Sequence, residues 1–365
     1  MKITHILYSG LGGHGNVFFS FITADENKHF DYEAIFAGVE EVRQEYITKC
    51  TAHQIKWKYL QKKRGLDVAF ARNLVGTVRA TESPIIFLHG SRFIFLAKMA
   101  ALLSKNKKKI VVRETQANHL KTRLEWMWLT LTMLFADRVI FLTDNFREEV
   151  RKTLGSVYSP KKISIINNGI DLNFFKPLEK LSTKTIVLGM QSRIVPIKDH
   201  ATLLQAVAVL QLQHPEITIQ LKIAGDGDSI KELQLLAKQL QIEKKVLFTG
   251  MLNEINLVNF MRSLDIYIHA SYGETMSTSI MQAMACKLPI IGSDVPGISN
   301  MIENNKTGIL VPVKNQVALA KAITDIIHNP IRAAAMKEAA FDFAVLNYSN
   351  KTMFAKYLTV FENMI

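Results

Sequence analysis

Ser271-Tyr272-Gly273-Glu274-Thr275-Met276-Ser277-Thr278-Ser279-Ile280-Met281-Gln282-Ala283-Met284-Ala285-Cys286 reads as a turn that carries a carboxylate straight into a helix. Seven residues separate Glu274 from Gln282, so on a helix beginning near Met276 both polar groups face one side. Ile280, Met281 and Met284 cover the other faces. The backbone N–H groups of Thr275, Met276 and Ser277, at the positive end of the helix dipole, suit a phosphate. A carboxylate beside an anion site serves sugar hydroxyls instead, and the combination suggests a sugar nucleotide.

Further motifs follow in order on either side. Upstream, Gly189-Met190-Gln191-Ser192-Arg193-Ile194-Val195-Pro196-Ile197-Lys198-Asp199 sets an Arg and a Lys five residues apart in a loop after a strand. Leu221-Lys222-Ile223-Ala224-Gly225-Asp226-Gly227 and Val246-Leu247-Phe248-Thr249-Gly250-Met251 are strands ending in turns. Downstream come Leu288-Pro289-Ile290-Ile291-Gly292-Ser293-Asp294-Val295-Pro296-Gly297 and Thr307-Gly308-Ile309-Leu310-Val311-Pro312. In this order the segments resemble the retaining glycosyltransferases of family 4, with Glu-x7-Gln where that family has Glu-x7-Glu.

The resemblance implies an α/β chain of the GT-B fold, two Rossmann-like doubly wound domains facing across a cleft. It implies that Arg193 and Lys198 meet the departing diphosphate, and that Glu274 holds a donor-sugar hydroxyl near C3 or C4. Gly225, Gly250, Met251, Thr275, Met276, Ser277 and Gln282 would complete the donor site, with Gly12 and Gly13 of the Gly10–Gly15 turn approaching from the first domain. Gln282 departs from the family: its neutral amide can accept from one ribose hydroxyl where a carboxylate would take more. A second departure is Val111-Val112-Arg113-Glu114-Thr115-Gln116, where many relatives carry a His and this chain offers Glu114. Glu114 either orients a substrate or pairs with Arg113 or Arg123. His14 and His89 are the other residues expected to line the cleft.

The implied reaction moves a hexose from a nucleotide diphosphate sugar to a hydroxyl of a glycan or lipid-linked acceptor, in cell-surface polysaccharide or lipopolysaccharide assembly. A departing phosphate oxygen takes the acceptor's proton on the same face, so no protein nucleophile, cofactor or metal ion is expected.

Composition agrees with this reading. At 365 residues, 48% hydrophobic, the chain has room for two cores. Its two cysteines, Cys50 and Cys286, lie far apart, which argues for a reducing compartment rather than a disulfide framework. The opening Met1-Lys2-Ile3-Thr4-His5-Ile6-Leu7-Tyr8 enters a strand without a signal-peptide layout, so a cytoplasmic protein is expected. The longest apolar run, Trp126 to Ala136, is too short to cross a bilayer.

The net charge is +13, and residues 1–172 hold 26 Lys/Arg against 16 Asp/Glu. Lys56-Trp57-Lys58-Tyr59-Leu60-Gln61-Lys62-Lys63-Arg64 interleaves aromatics with cations as interfacial helices do, and Lys105-Asn106-Lys107-Lys108-Lys109 is a second basic cluster. These suggest an anionic membrane surface, with a peripheral location on its inner face, or an acidic acceptor as a partner, against the plainer reading of a solvated basic face. Nucleic acid is not an expected partner.

Strand-like and helical stretches alternate in both halves, the pattern of parallel sheets with crossover helices. Expected boundaries are 1–172 for the acceptor-side domain, 173–348 for the nucleotide-sugar domain, and 349–365 for a helix returning to the first. Asn167-Asn168-Gly169-Ile170-Asp171-Leu172-Asn173-Phe174-Phe175-Lys176-Pro177 is the expected hinge.

Competing readings remain. Gly10-Leu11-Gly12-Gly13-His14-Gly15 also fits the dinucleotide fingerprint of an NAD-dependent oxidoreductase, whose ribose-binding acid belongs at the end of the second strand, whereas Glu40 lies beyond it. Asp226-Gly227-Asp228 resembles a metal-holding Asp-x-Asp, but Asp228 reads better as a cap for a helix from Ser229. A sugar-nucleotide hydrolase or phosphorylase, or a non-catalytic sugar-nucleotide-binding protein, would use the same residues.

Overall fold

Runs such as Ile85–Leu88 and Ile266–His269 are buried at every position, as strands covered on both faces must be. The computed structural model describes residues 1–10, 13–178 and 184–364. It divides into two compact units, Met1–Gly169 with Asn350–Ile365, and Ile170–Ser349.

In the first unit β1 (Lys2–Tyr8), β2 (Asp31–Gly38), β3 (Lys56–Gln61), β4 (Ile85–Leu88), β5 (Lys109–Arg113), β6 (Arg138–Phe141) and β7 (Ile163–Ile165) form one sheet in the order β3-β2-β1-β4-β5-β6-β7. All its pairings are parallel. The connecting helices are α1 (Gly13–Ala24), α2 (Gln44–Ala52), α3 (Val68–Ala80), α4 (Ile94–Leu103), α5 (Arg123–Phe135) and α6 (Asp144–Leu154).

In the second unit β8 (Thr185–Gln191), β9 (Thr218–Ala224), β10 (Val246–Gly250), β11 (Ile266–His269), β12 (Ile290–Ser293) and β13 (Ile309–Val311) take the order β10-β9-β8-β11-β12-β13, again parallel. Around them lie α7 (His200–Gln213), α8 (Ile230–Gln239), α9 (Glu254–Arg262), α10 (Thr278–Ala285), α11 (Pro296–Ser299), α12 (Gln316–His328) and α13 (Pro330–Asn347). Both sheets thus have the doubly wound order, which reverses direction next to β1 in one and β8 in the other. Ligands bind outside the strand carboxyl ends at such reversals.

The last helix, α14 (Asn350–Glu362), belongs to the first unit and packs on α1. It buries Met353, Phe354, Tyr357 and Phe361 in the core shared with Phe18, Phe21 and Phe87. The junction falls at Gly169/Ile170, three residues before the expected boundary, for a visible reason. Gly169 donates its N–H to Met353 Sδ (3.1 Å) and accepts from Ser20 Oγ (2.9 Å), while Ile170 donates to the Tyr348 carbonyl (2.8 Å).

One expectation needs correction. Lys56–Gln61 is not an interfacial helix but the edge strand β3, paired with β2 alone. Its period of two turns Lys56 and Lys58 outward and tucks Trp57 and Tyr59 half-inward, and lysines on an edge strand discourage pairing with another chain.

Candidate functional site

The reversal beside β8 brings the loop after β8 next to the loop after β11. The first carries Arg193 and Lys198, the second Glu274. Hydrogen bonds tie the first loop to the turn after β9: Ser192 donates to the Ala224 carbonyl (3.1 Å) and Ile194 to the Asp226 carbonyl (2.8 Å). Glycine is required in that turn. A Cβ on Gly225, whose φ is +135°, would lie 1.9 Å from the Ser192 carbonyl oxygen. Gly225 also donates to the carbonyl of Gly250 at the end of β10 (2.9 Å), next to the exposed Met251.

The loop after β11 is stitched to the same segment. Tyr272 N–H and Ser271 Oγ both donate to the Ile197 carbonyl (2.9 and 3.1 Å), and the Tyr272 hydroxyl donates to Asp199 Oδ1 (2.6 Å). Lys198 is thereby held against Glu274, its ammonium in direct contact with Oε1. The structure brings Arg193, Lys198 and Glu274 together, the exposed Arg193 close enough to act on the Lys198 charge. Burial, with Arg193 adding to it, pulls the Lys198 ammonium down to about 7, while the adjacent Glu274 carboxylate acts in the opposite sense.

Glu274 has a second partner that the sequence reading missed. His269, at the end of β11, places Nε2 2.8 Å from Glu274 Oε1, and its Nδ1 lies 3.1 Å from the Tyr267 hydroxyl. Burial drives its pKa well below the usual value, so the ring is neutral. The network then assigns the proton to Nε2, which donates to Glu274, while Nδ1 accepts from Tyr267. A similar pair sits in the loop after β8, where His200 Nε2 lies 3.1 Å from Ser192 Oγ.

The helix after Glu274 starts later than expected, at Thr278. Ser277 is its cap, accepting from Ile280 N–H (3.4 Å), and its own amide donates to Met301 Sδ (3.2 Å). The amides that open the helix are therefore those of Thr278 and Ser279. Thr275 and the buried Met276 form the approach to this cap. Gly297 of α11 lies so close to it that a Cβ there would stand 1.9 Å from the Glu274 carbonyl oxygen. Gln282, 7% exposed, is one turn beyond Ser279, whose hydroxyl bonds the Gln191 side chain at the end of β8. Asp228 is not a cap: α8 begins after Ser229, and Asp226 Oδ1 instead accepts from Gly227 N–H (2.8 Å).

In the first unit, Gly13 opens α1, while Gly12 lies outside the described residues. His14 follows in the first turn, and burial pushes its pKa down to about 4, with Arg113 adding to the effect. His89, past the end of β4, faces His5 Nδ1 through Nε2 at 3.0 Å. Arg113 ends β5 and donates to Asn168 Oδ1. His14 Nδ1, His89 Nδ1 and Arg113 Nε are buried without a hydrogen-bond partner among the described residues. Glu114 is committed within the protein. It accepts from Ser91 Oγ (2.5 Å) and Gln116 N–H (3.1 Å) and lies 3.5 Å from Lys121 Nζ. Its partners are Ser91 and Lys121 rather than Arg113 or Arg123. Glu40, beyond the end of β2, accepts from the Tyr8 hydroxyl (2.9 Å).

Comparison with known proteins follows the same division. The family described as Glycosyltransferase Family 4 matches residues 11–174, and Glycosyl transferases group 1 matches residues 173–343. The D-inositol 3-phosphate glycosyltransferase 2 of Catenulispora acidiphila is 29% identical over 224 residues, 57% of this chain and 52% of the relative. The matched region thus spans about half the length of that curated relative. The structure of Anabaena HepE in complex with UDP-glucose is similar with a TM-score of 0.83 at 18% identity, covering 100% of both chains. That of the lipopolysaccharide outer core galactosyltransferase WaaB has a TM-score of 0.74 at 18% identity, again over 100% of both. At these identities the structural likeness speaks for the fold. With two doubly wound units and both glycosyltransferase models matched in succession across residues 11–343, the chain belongs to the glycosyltransferases of the GT-B fold.

Proposed function

We propose that this protein is a retaining hexosyltransferase of family 4 that takes its sugar from a nucleotide diphosphate donor bound by the second unit. The observation that carries the reading is the convergence of Arg193, Lys198 and the opening of α10 beside the Glu274 carboxylate. The cations and the helix dipole receive the diphosphate and stabilise the charge that grows on it as the glycosidic bond breaks. Lys198 and His269 both meet Oε1 of Glu274, which leaves Oε2 to a sugar hydroxyl. Gln282 accepts from the ribose. The leaving phosphate oxygen takes the acceptor's proton on the same face, and the local positive charge serves in place of a divalent ion.

The acceptor belongs to the first unit, where His14 and His89 offer buried ring nitrogens without a partner among the described residues, beside Arg113. A uridine diphosphate sugar is the first donor to try, because HepE was solved with UDP-glucose and shares this fold. We assign the product to cell-surface glycan or lipopolysaccharide assembly on the cytoplasmic side of the membrane.

The test is thermal stabilisation by a panel of nucleoside diphosphates and their sugars, followed by product analysis with and without EDTA. Binding to the folded state raises Tm. One diphosphate should stabilise the wild type, Arg193→Ala should lose that shift, and Glu274→Ala should lose only the increment due to the sugar. Stabilisation by a nicotinamide cofactor instead would overturn the reading. Tight donor binding without sugar transfer would identify a binding protein, and release of sugar to water or phosphate a hydrolase or phosphorylase.

A further inference from the structure

α4 and α5 pack side by side, with Phe95 and Phe135 6.5 Å apart between ring centroids. The inner face of each helix joins the core: Ile94, Ala97 and Ala100 from α4, and Leu129 and Met133 from α5. The outer faces are apolar too. On α4, Phe95, Met99, Leu102 and Leu103 recur at helical spacing and are exposed, Leu102 at 74%. On α5, Leu124, Met127 and Leu134 do the same, Leu134 at 55%. A helix that is apolar on both its core and its outer side needs a second apolar partner.

The charge around this face says what that partner is. Residues 68–135 hold eleven Lys/Arg against three Asp/Glu; the side chains of Lys108, Arg113 and Lys121 are buried, which leaves eight cations for the surface. Arg92, Lys105, Lys107 and Arg123 are exposed at the ends of the two helices. The acids are committed elsewhere. Glu125 closes the capping box of α5 by accepting from Thr122 N–H (2.7 Å), Glu114 is buried against Ser91, and Glu82 pairs with Lys2 (3.1 Å) on the strand side. An apolar face with a cationic rim complements acyl chains beneath anionic headgroups. Among the described residues no helix is long and apolar enough to cross a membrane, so the contact is one of lying on the surface.

We propose that the paired outer faces of α4 and α5 dock this protein on an anionic lipid bilayer. This relocates the membrane contact from the lysines of β3, which lie on a sheet edge. Both helices start after the carboxyl edge of the first sheet and run to its amino edge, where Leu102, Leu103, Leu134, Lys105 and Lys107 lie. The proposal does not depend on sugar transfer, and the two fail separately because vesicle binding requires no turnover.

The test is cosedimentation of the full chain with vesicles of phosphatidylcholine alone or mixed with phosphatidylglycerol. The wild type should sediment with the mixed vesicles and remain largely in solution with neutral ones. Leu102→Gln/Leu124→Gln/Leu134→Gln should lower affinity for mixed vesicles about tenfold or more, with Tm and the nucleotide-induced shift unchanged. Lys105→Ser/Lys107→Ser/Arg123→Ser should erase the preference for anionic vesicles, and the control Leu212→Gln, exposed in the second unit, should change nothing. Wild-type protein that stays in solution with phosphatidylglycerol vesicles overturns the proposal. So does a triple apolar variant that sediments like the wild type, or one that only converts a dimer to a monomer by light scattering.

Discussion

Lys198 and Glu274 neutralise one another in direct contact, with side chains only 12% and 15% exposed. They come from the loops after β8 and β11, the two strands where the second sheet reverses its winding, so the pair marks the position at which a doubly wound sheet binds ligand. In the empty protein each is the other's counter-charge. Under the proposed function a donor would replace both halves at once, its diphosphate taking the ammonium and its sugar the carboxylate.

A double-mutant cycle tests this exchange. Lys198→Ala and Glu274→Ala should each destabilise the protein, and the pair should show a coupling energy of about 1 to 3 kcal/mol by denaturant unfolding. Saturating nucleotide sugar should shrink that coupling. On activity, Lys198→Ala should lower kcat by about 10² to 10³, the scale of losing one charge-stabilising donor. A coupling of zero in the empty protein would mean that the contact does not persist in solution.

Burial and Arg193 pull the Lys198 ammonium down to about 7 while contact with Glu274 opposes them, and this balance sets the pH dependence expected of donor binding. A diphosphate favours the ammonium, so above pH 7 the complex must take up a proton as it forms. Affinity for the nucleoside diphosphate should then fall by up to about tenfold per pH unit between pH 7 and 9. Lys198→Arg stays charged and should flatten the profile; isothermal titration at several pH values reads both. Stability runs the opposite way. With the folded pKa below the usual 10.5, the unfolded chain holds more protons between about pH 7 and 10.5, so this group's contribution to stability rises with pH across that window. Donor affinity that is flat from pH 7 to 9 in the wild type would mean that Glu274 keeps the Lys198 ammonium charged across this range.

His269 acts through Glu274 and is a positioning residue. His269→Ala removes one of the two partners of Glu274 Oε1, leaving Lys198, and leaves the Tyr267 hydroxyl to the Gln191 carbonyl (3.3 Å), whereas His269→Asn can still donate to Oε1. The alanine variant should lose up to about 10²-fold in kcat, the scale of a misplaced reacting group, while the Kd for the nucleoside diphosphate holds. Partial recovery in the asparagine variant separates orientation from loss of packing. Equal losses of kcat and nucleotide affinity would point to general disruption of the loop.

The legible and illegible parts of this protein differ in kind. Apolar runs such as Ile85–Leu88 mark buried strands without knowledge of their neighbours, and the parallel architecture follows from their alternation with helices. β3 escaped because Lys56-Trp57-Lys58-Tyr59 has the composition of an interfacial segment, and only its period of two identifies an edge strand. Glu274, Arg193 and Lys198 stand in short local motifs. His269 does not: a single His closing the apolar run Ile266-Tyr267-Ile268 looks like core until the turn back to Glu274 is known. Glu114 was ambiguous because Ser91 donates to it from 23 residues away, a contact created only by the adjacency of β4 and β5.

Gln282 offers a last test, because its substitution should move stability and affinity in opposite directions. The side chain is buried at 7% exposure, in the second half of α10 where the helix dipole disfavours negative charge. Gln282→Glu should therefore cost the empty protein about 1 to 3 kcal/mol, the scale of a buried polar group left without its partner. In the complex the same carboxylate would meet the ribose hydroxyls, and replacing a neutral hydrogen bond by a charge-assisted one gains about 1 to 1.5 kcal/mol, roughly five- to tenfold tighter binding. The expected pattern is a lower Tm alone and a larger rise with the nucleoside diphosphate, accompanied by a smaller Kd in calorimetry. A variant that loses stability and gains no affinity would place the ribose elsewhere and leave Gln282 a purely structural amide.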